Sequence, residues 1–251
     1  MDTLKAIIFD VDGTLAETER DGHRVAFNRA FQAAGLPWRW SIEEYGKLLA
    51  ISGGKERIRH YIETVRPSGF ETSDLAGFVK ALHQSKGKFY LELIGSIPLR
   101  PGVRRLIDEA RTAGVRLAIA TTSSLPSTLA LLTTVLGPDS PNWFDIIAAG
   151  DVVPYKKPSP GIYYHALTHL DLPASQCIAI EDTHHGLVAA TRAGLRTLVT
   201  VNDYTLNQDF RLAKAVINHL GEPNHPLELL VGDLPNQWFK LEDAACLLAA
   251  A

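Results

Sequence analysis

Two cysteines in 251 residues leave this chain without the paired framework of a small secreted domain. One of them, Cys177, heads the apolar run Cys177-Ile-Ala-Ile180 and reads as core packing. Long apolar runs are missing as well: none approaches the ~20 residues that a membrane-spanning helix needs. Basic charge is not in excess, because 25 Lys and Arg stand against 28 Asp and Glu with no basic stripe along the chain, so nucleic acid is not an expected partner. There is no internal repeat, no low-complexity segment, and no charged and apolar leader ahead of a first strand expected from about Leu4. These absences describe a soluble protein of a reducing compartment with a small-molecule partner and no membrane. A bacterial cytoplasm is expected, or the plastid stroma for a processed plant or algal form, and a monomer.

What is present is organised around Lys5-Ala-Ile-Ile-Phe-Asp-Val-Asp-Gly-Thr-Leu15. Ala6 to Phe9 form the continuous apolar run of a strand buried on both faces, and the run stops at a carboxylate. Ligands of open α/β sheets collect past the carboxyl ends of the strands, which is where Asp10 and Asp12 would stand. Gly13 allows a tight backbone there. A lone Asp-x-Asp is as readily a helix cap, so the downstream sequence has to decide.

After Leu15 the period becomes helical. Thr18 is expected to cap a helix carrying Val25, Phe27, Ala30, Phe31 and Ala34, with Gly35 as its stop. Ser41 and Glu44 form a capping box for a second helix through Leu49. A third is expected from Lys55 to about Val65, and a fourth after Ser73. From Pro98-Leu-Arg-Pro-Gly102 onward, short apolar strands alternate with helices, the rhythm of a parallel sheet covered on both faces. Strands are expected at Val115 to Ala120, Asp145 to Ala148, Cys177 to Ile180, Thr197 to Val201 and Ala215 to Ile217. Helices are expected at Val103 to Ala113, Ser127 to Leu136, Gly161 to Leu170 and Gly186 to Ala193. The fold class is therefore α/β, a Rossmann-like three-layer parallel sheet core of residues 1–15 and 98–251, with an inserted helical cap, residues 16–97, expected to act as a movable lid over the acids. Past His219 the sequence is loop-like and carries no expectation of what it packs against.

Three further strand ends carry chemistry. Thr121-Thr122-Ser123 offers hydroxyls and backbone N–H groups ahead of a helix, a setting that suits phosphate. Lys156 and Lys157 precede Pro158, which holds the preceding residue extended. Glu181-Asp182 places two acids together at a buried strand end, costly unless a cation offsets them. Mg²⁺ would do so through oxygen ligands, whereas His184 and His185 lack the companions that tetrahedral zinc wants. Taken singly, these stretches are also an ordinary Ser/Thr cap and an ordinary surface loop.

In this order the four strand ends resemble the haloacid dehalogenase superfamily of phosphohydrolases: Asp10-Val-Asp-Gly-Thr-Leu15, Thr121, Lys157 before Pro158, and Glu181-Asp182 match its four motifs. The resemblance implies an Mg²⁺-dependent phosphatase with Asp10 as a nucleophile that forms an aspartyl-phosphate, already ionised at neutral pH. It implies Asp12 as general acid and then base, with Lys157, Thr121 and Thr122 holding phosphate oxygens. The metal ligands it implies are the Asp10 carboxylate, the Asp12 backbone carbonyl and Asp182, with Glu181 direct or through a water.

The helical insertion resembles the subfamily of sugar phosphatases and β-phosphoglucomutase. Within it, Leu15 to Asn28, Ile51-Ser-Gly-Gly-Lys-Glu-Arg57 and His219-Leu-Gly-Glu-Pro223 resemble the CbbY proteins. These hydrolyse xylulose 1,5-bisphosphate, an inhibitory misfire product of the Calvin-cycle enzyme Rubisco, to xylulose 5-phosphate. A sugar bisphosphate needs a second anion site, for which Gly54, Lys55 and Arg57 at a helix start, together with Arg100, are the candidates. Arg59 is a further basic residue there. Glu17 and His23 are candidates for sugar hydroxyls. A phosphomutase, or a phosphatase of another small sugar phosphate, is the alternative. Against the mutase, β-phosphoglucomutase has an Asp where Glu17 stands and a histidine one residue nearer the motif.

Overall fold

The computed structural model describes residues 4–68 and 71–249. The chain forms two compact units, Met1–Ala16 with Pro98–Ala251, and Glu17–Ile97. The first strand, β1 (Ala6–Phe9), belongs to the former.

The second unit is helical among its described residues: α1 (Arg24–Ala33), α2 (Ile42–Leu48), α3 (Gly54–Val65) and α4 (Leu75–Leu93). Its core is aromatic. Phe27, Phe31, Trp40, Tyr45 and Tyr90 are buried, with the Trp40 ring 4.8 Å from both Phe27 and Phe31. Asn28 holds Trp40 in place by accepting from its backbone N–H at 2.8 Å and donating to its carbonyl at 2.9 Å. Two caps differ from expectation. Thr18 makes no side-chain cap, and α1 is entered instead through a π turn, Glu19–His23. The cap of α4 is Asp74, which accepts from Gly77 N–H at 2.9 Å, one residue past the expected Ser73. Ser41 caps α2 as its position requires.

Back in the first unit come α5 (Val103–Thr112), β2 (Arg116–Thr121), α6 (Leu125–Val135), β3 (Ile146–Ala149), α7 (Gly161–Leu170), β4 (Cys177–Glu181), α8 (His184–Arg192), β5 (Arg196–Thr200), β6 (Ala215–Ile217), β7 (Leu229–Val231) and α9 (Leu241–Ala249). The sheet order is β3-β2-β1-β4-β5-β6-β7, parallel except for β7, which runs antiparallel on the edge. Central β1 is buried along its whole length, which explains its unbroken apolar run. Three strands extend one residue past expectation because the parallel ladders continue to the Thr121–Ala149 and Glu181–Val199 pairs. Likewise α6 and α8 start two residues early, where Ser124 and Thr183 accept from the N–H groups of Ser127 and Gly186.

The tail is structural. Leu247 and Leu248 of α9 are buried, and α9 packs on α5 and β4. Arg196 donates to the carbonyls of Leu247 and Leu248 at its end.

Arg100, expected as a substrate residue, is buried in the first unit. Its buried guanidinium donates to the carbonyls of Gly13 and Asn218, and to those of Thr200 at 3.2 Å and Val201 at 2.6 Å. It thus ties the loop after β1 to the ends of β5 and β6. Leaving such carbonyls unpaired in the interior costs about 1–3 kcal/mol each. Arg100→Ala should therefore lower unfolding free energy in urea by about 3 kcal/mol or more. Arg100→Lys should recover only part, because one ammonium cannot reproduce the planar fork. A loss below about 1 kcal/mol would contradict the clamp.

Candidate active site

The sheet order turns back on itself between β1 and β4, so the crevice at their carboxyl ends is where a parallel sheet collects ligands. Phe9 pairs with Ile119 on one side and Ile180 on the other, which brings Asp10, Thr121 and Glu181-Asp182 to one rim. Lys157 arrives there from the segment before α7. Its buried ammonium lies 2.6 Å from Asp10 Oδ1, 2.6 Å from Glu181 Oε1 and 2.8 Å from the Ala120 carbonyl. Lys156, the alternative lysine, turns away to Asp151 at 2.7 Å and the Gly150 carbonyl.

One ammonium does not balance this rim. Carboxylate oxygens of Asp10, Glu181 and Asp182 lie within 4.8 Å of one another, all on buried residues. Burial outweighs the Lys157 charge and, with Glu181 and Asp12 adding repulsion, pushes Asp10 up to about 8. Burial, then the Asp10 and Glu181 charges, also holds Asp182 well above the carboxylate range. Lys157 is held above the ordinary lysine value because the two carboxylates overcome its own desolvation. Burial and the neighbouring carboxylates thus work against the ionised form of Asp10, and further positive charge would offset them.

The donor set fits a hard divalent cation. Asp182 Oδ2 accepts from Asn202 Nδ2 at 2.8 Å, whereas its buried Oδ1 has no hydrogen-bond partner among the described residues. An orphaned buried oxygen is costly, and a cation would relieve it. Glu181 is more fully engaged: Oε1 accepts from Lys157 and the Tyr163 hydroxyl, and Oε2 from the Asp182 N–H at 3.2 Å and Thr183 Oγ1 at 3.5 Å. His184, of the rejected zinc pair, spends Nδ1 on the Asp209 carbonyl at 2.6 Å.

Two glycines make room for this packing. A Cβ on Gly13, whose φ is +82°, would overlap Asp182 Oδ2, and one on Gly186 would overlap the Glu181 carboxylate. Asp12 Oδ2 accepts from Ser123 Oγ, and Thr121 Oγ1 accepts from Ser123 N–H at 3.1 Å, which leaves the Thr121 hydroxyl proton for another acceptor. Thr122 is half-buried beside it. Sequence reasoning missed Tyr163, Asn202 and the Ser123–Asp12 bond. Ser123 lay in a motif already singled out and Asn202 just past a strand end, whereas nothing in the pattern marked Tyr163.

In the helical unit the expected residues are arranged as follows. Arg57 is buried and donates to Leu48 O at 3.1 Å, Tyr45 Oη at 2.9 Å and Ile51 O at 3.3 Å, while Tyr45 donates to Glu19. Gly54 and Lys55 open α3. His23 is buried, stacked on Tyr90 with ring centroids 4.1 Å apart, and its Nδ1 lies 2.7 Å from Lys86 Nζ. Glu17 is exposed.

The sign of the pH dependence follows from Asp10. Its folded value lies above the unfolded value near 3.8, so the folded chain binds the proton more tightly and loses stability as pH rises from about 4 through about 8. Asp10→Asn carries no such proton. In chelator, the melting temperature of Asp10→Asn minus that of the wild type should grow between about pH 5 and pH 9. A difference that stays constant or shrinks would contradict the raised carboxyl.

The profile of the haloacid dehalogenase-like hydrolases matches residues 4–194. Protein CbbY of Cereibacter sphaeroides is 45% identical over 223 residues, 87% of this chain and 94% of its own length. The CbbY protein of Cupriavidus necator is 42% identical over 240 residues, 95% of this chain and 94% of its own. Among solved structures, an Asp-to-Asn variant of CbbY from Rhodobacter sphaeroides in complex with xylulose 1,5-bisphosphate superposes with a TM-score of 0.81 at 44% identity, covering 86% of this chain and 95% of that one. With the motif residues gathered on one rim and these likenesses spanning most of its length, the chain belongs to the haloacid dehalogenase-like hydrolase family.

Proposed function

We propose that this chain is an Mg²⁺-dependent sugar-bisphosphate phosphatase that converts xylulose 1,5-bisphosphate to xylulose 5-phosphate and inorganic phosphate through an aspartyl-phosphate on Asp10. The observation that supports the chemistry is the buried Lys157 ammonium placed 2.6 Å from the Asp10 carboxylate. The substrate is inferred from the CbbY structure that holds that bisphosphate.

An Asp10 oxygen attacks phosphorus as the sugar alkoxide leaves. Lys157, the Thr121 hydroxyl and the Thr122 N–H take the phosphoryl oxygens, where charge is greatest. Asp12, held by Ser123 at one oxygen, gives its proton to the alkoxide. It then removes one from the water that cleaves the acyl phosphate and restores Asp10. Asp10, the Asp12 carbonyl, Asp182 and Glu181, directly or through a water, would hold Mg²⁺, which would supply the positive charge that an anionic nucleophile needs to approach an anionic phosphoryl group. Asn202 fixes the Asp182 carboxylate by one oxygen, and Tyr163 does the same for Glu181. Glu17, His23, Gly54 and Lys55 bind the substrate in this reading, as their sequence pattern suggests. Arg57 and Arg100 act as support, because their guanidinium groups are committed to main-chain and tyrosine oxygens.

A phosphate-release assay tests the reading. With Mg²⁺, xylulose 1,5-bisphosphate should yield one equivalent of phosphate, and no bisphosphate should re-form from the monophosphate. EDTA should abolish turnover and excess Mg²⁺ restore it. Turnover that survives EDTA would sink the metal assignment, and accumulation of an isomerised phosphosugar in place of phosphate would favour the mutase.

A further inference from the structure

Three pairs of histidines stand near one another, at 165/169, 184/185 and 219/225. They differ in where their ring protons lie. We propose that His165 and His169, one turn apart on α7, form a surface site for a divalent transition-metal ion of the Zn²⁺, Ni²⁺ or Cu²⁺ class, separate from the acidic cluster.

The i,i+4 spacing puts both rings on one helix face, with centroids 4.3 Å apart. His169 Nδ1 lies 2.9 Å from the His165 carbonyl, which can only accept, so Nδ1 carries the proton. That leaves the Nε2 lone pair of His169 for a metal, the arrangement in which ligating histidines donate their other N–H to a carbonyl. His169 is exposed and His165 half-buried. Partial burial and the neighbouring His169 lower the His165 value, so fewer protons compete for its ring at neutral pH. Imidazole nitrogens favour Zn²⁺, Ni²⁺ and Cu²⁺ over Mg²⁺, which prefers oxygen, so the two sites select different ions. Water completes the coordination.

The other pairs lack this combination. His219 Nε2 and His225 Nε2 are 3.2 Å apart, but Gly221 N–H donates to His219 Nδ1 at 3.1 Å. The His219 proton therefore sits on Nε2 and is donated to His225, which closes the pair to a metal. His184 and His185 are adjacent on α8, and successive helical residues do not face each other; their rings are 6.2 Å apart.

Calorimetric titration of the full chain with Ni²⁺ in saturating Mg²⁺ tests the site. The wild type should bind one equivalent. His165→Ala, His169→Ala and the milder His169→Gln should each weaken binding by at least the 10- to 100-fold typical of losing an outer-shell partner, roughly, since a ligand itself is removed. His219→Ala and His225→Ala should leave it unchanged. Equal binding by the wild type and all three 165/169 variants, no binding by the wild type, or loss on His219→Ala would overturn the proposal.

Discussion

A single buried ammonium set against three buried carboxylates governs the first unit. Lys157 contacts Asp10 and Glu181 at 2.6 Å each, with Asp182 adjoining, so ionising all three carboxylates together would leave this buried group with a net negative charge. Such a cluster is tolerable only if its geometry is over-determined and if a further cation is welcome. Both conditions are visible. Asn202, Tyr163, Thr183 and the Asp182 N–H each hold one carboxylate oxygen, while the buried Asp182 Oδ1 is left without a hydrogen-bond partner. The same imbalance that burdens folding prepares the site to receive a metal and a phosphoryl group.

The surrounding fold serves that constraint. β1 lies between β2 and β4, so three motif-bearing strand ends fall side by side without any long loop to position them. Arg100 stitches four carbonyls around the loop after β1, and Gly13 lets that loop approach Asp182. The tail beyond β6 adds an antiparallel edge strand and α9, whose leucines cover α5 and β4. A site built on strand ends and braced in this way meets the requirement that reacting groups be held to within a fraction of an ångström.

Sequence alone displayed the strands and the site acids well, because the chemistry is local to motifs and a doubly buried strand is a continuous apolar run. The parallel register set three strand ends one residue further along than the apolar runs implied, at Thr121, Ala149 and Glu181. The two arginines were read by charge type alone. The partners of Arg57 lie within 12 residues of it, whereas for Arg100 the four carbonyls come from contacts between residues about 100 apart, which no local pattern encodes. Tyr163 was invisible for the same reason: on α7 it looks like any buried aromatic until β4 brings Glu181 to its hydroxyl. The fate of α9 likewise depended on packing partners far back in the chain.

In the proposed reaction Asp10, and no other side chain, carries the phosphoryl group between substrate and water. Acid quenching of the enzyme during turnover of the bisphosphate, followed by peptide mass spectrometry, measures this directly. The mass of one phosphoryl group should appear on the peptide containing Asp10, and none in Asp10→Asn. Phosphate release with an unmodified Asp10 peptide, or with the phosphoryl group on a different residue, would contradict it.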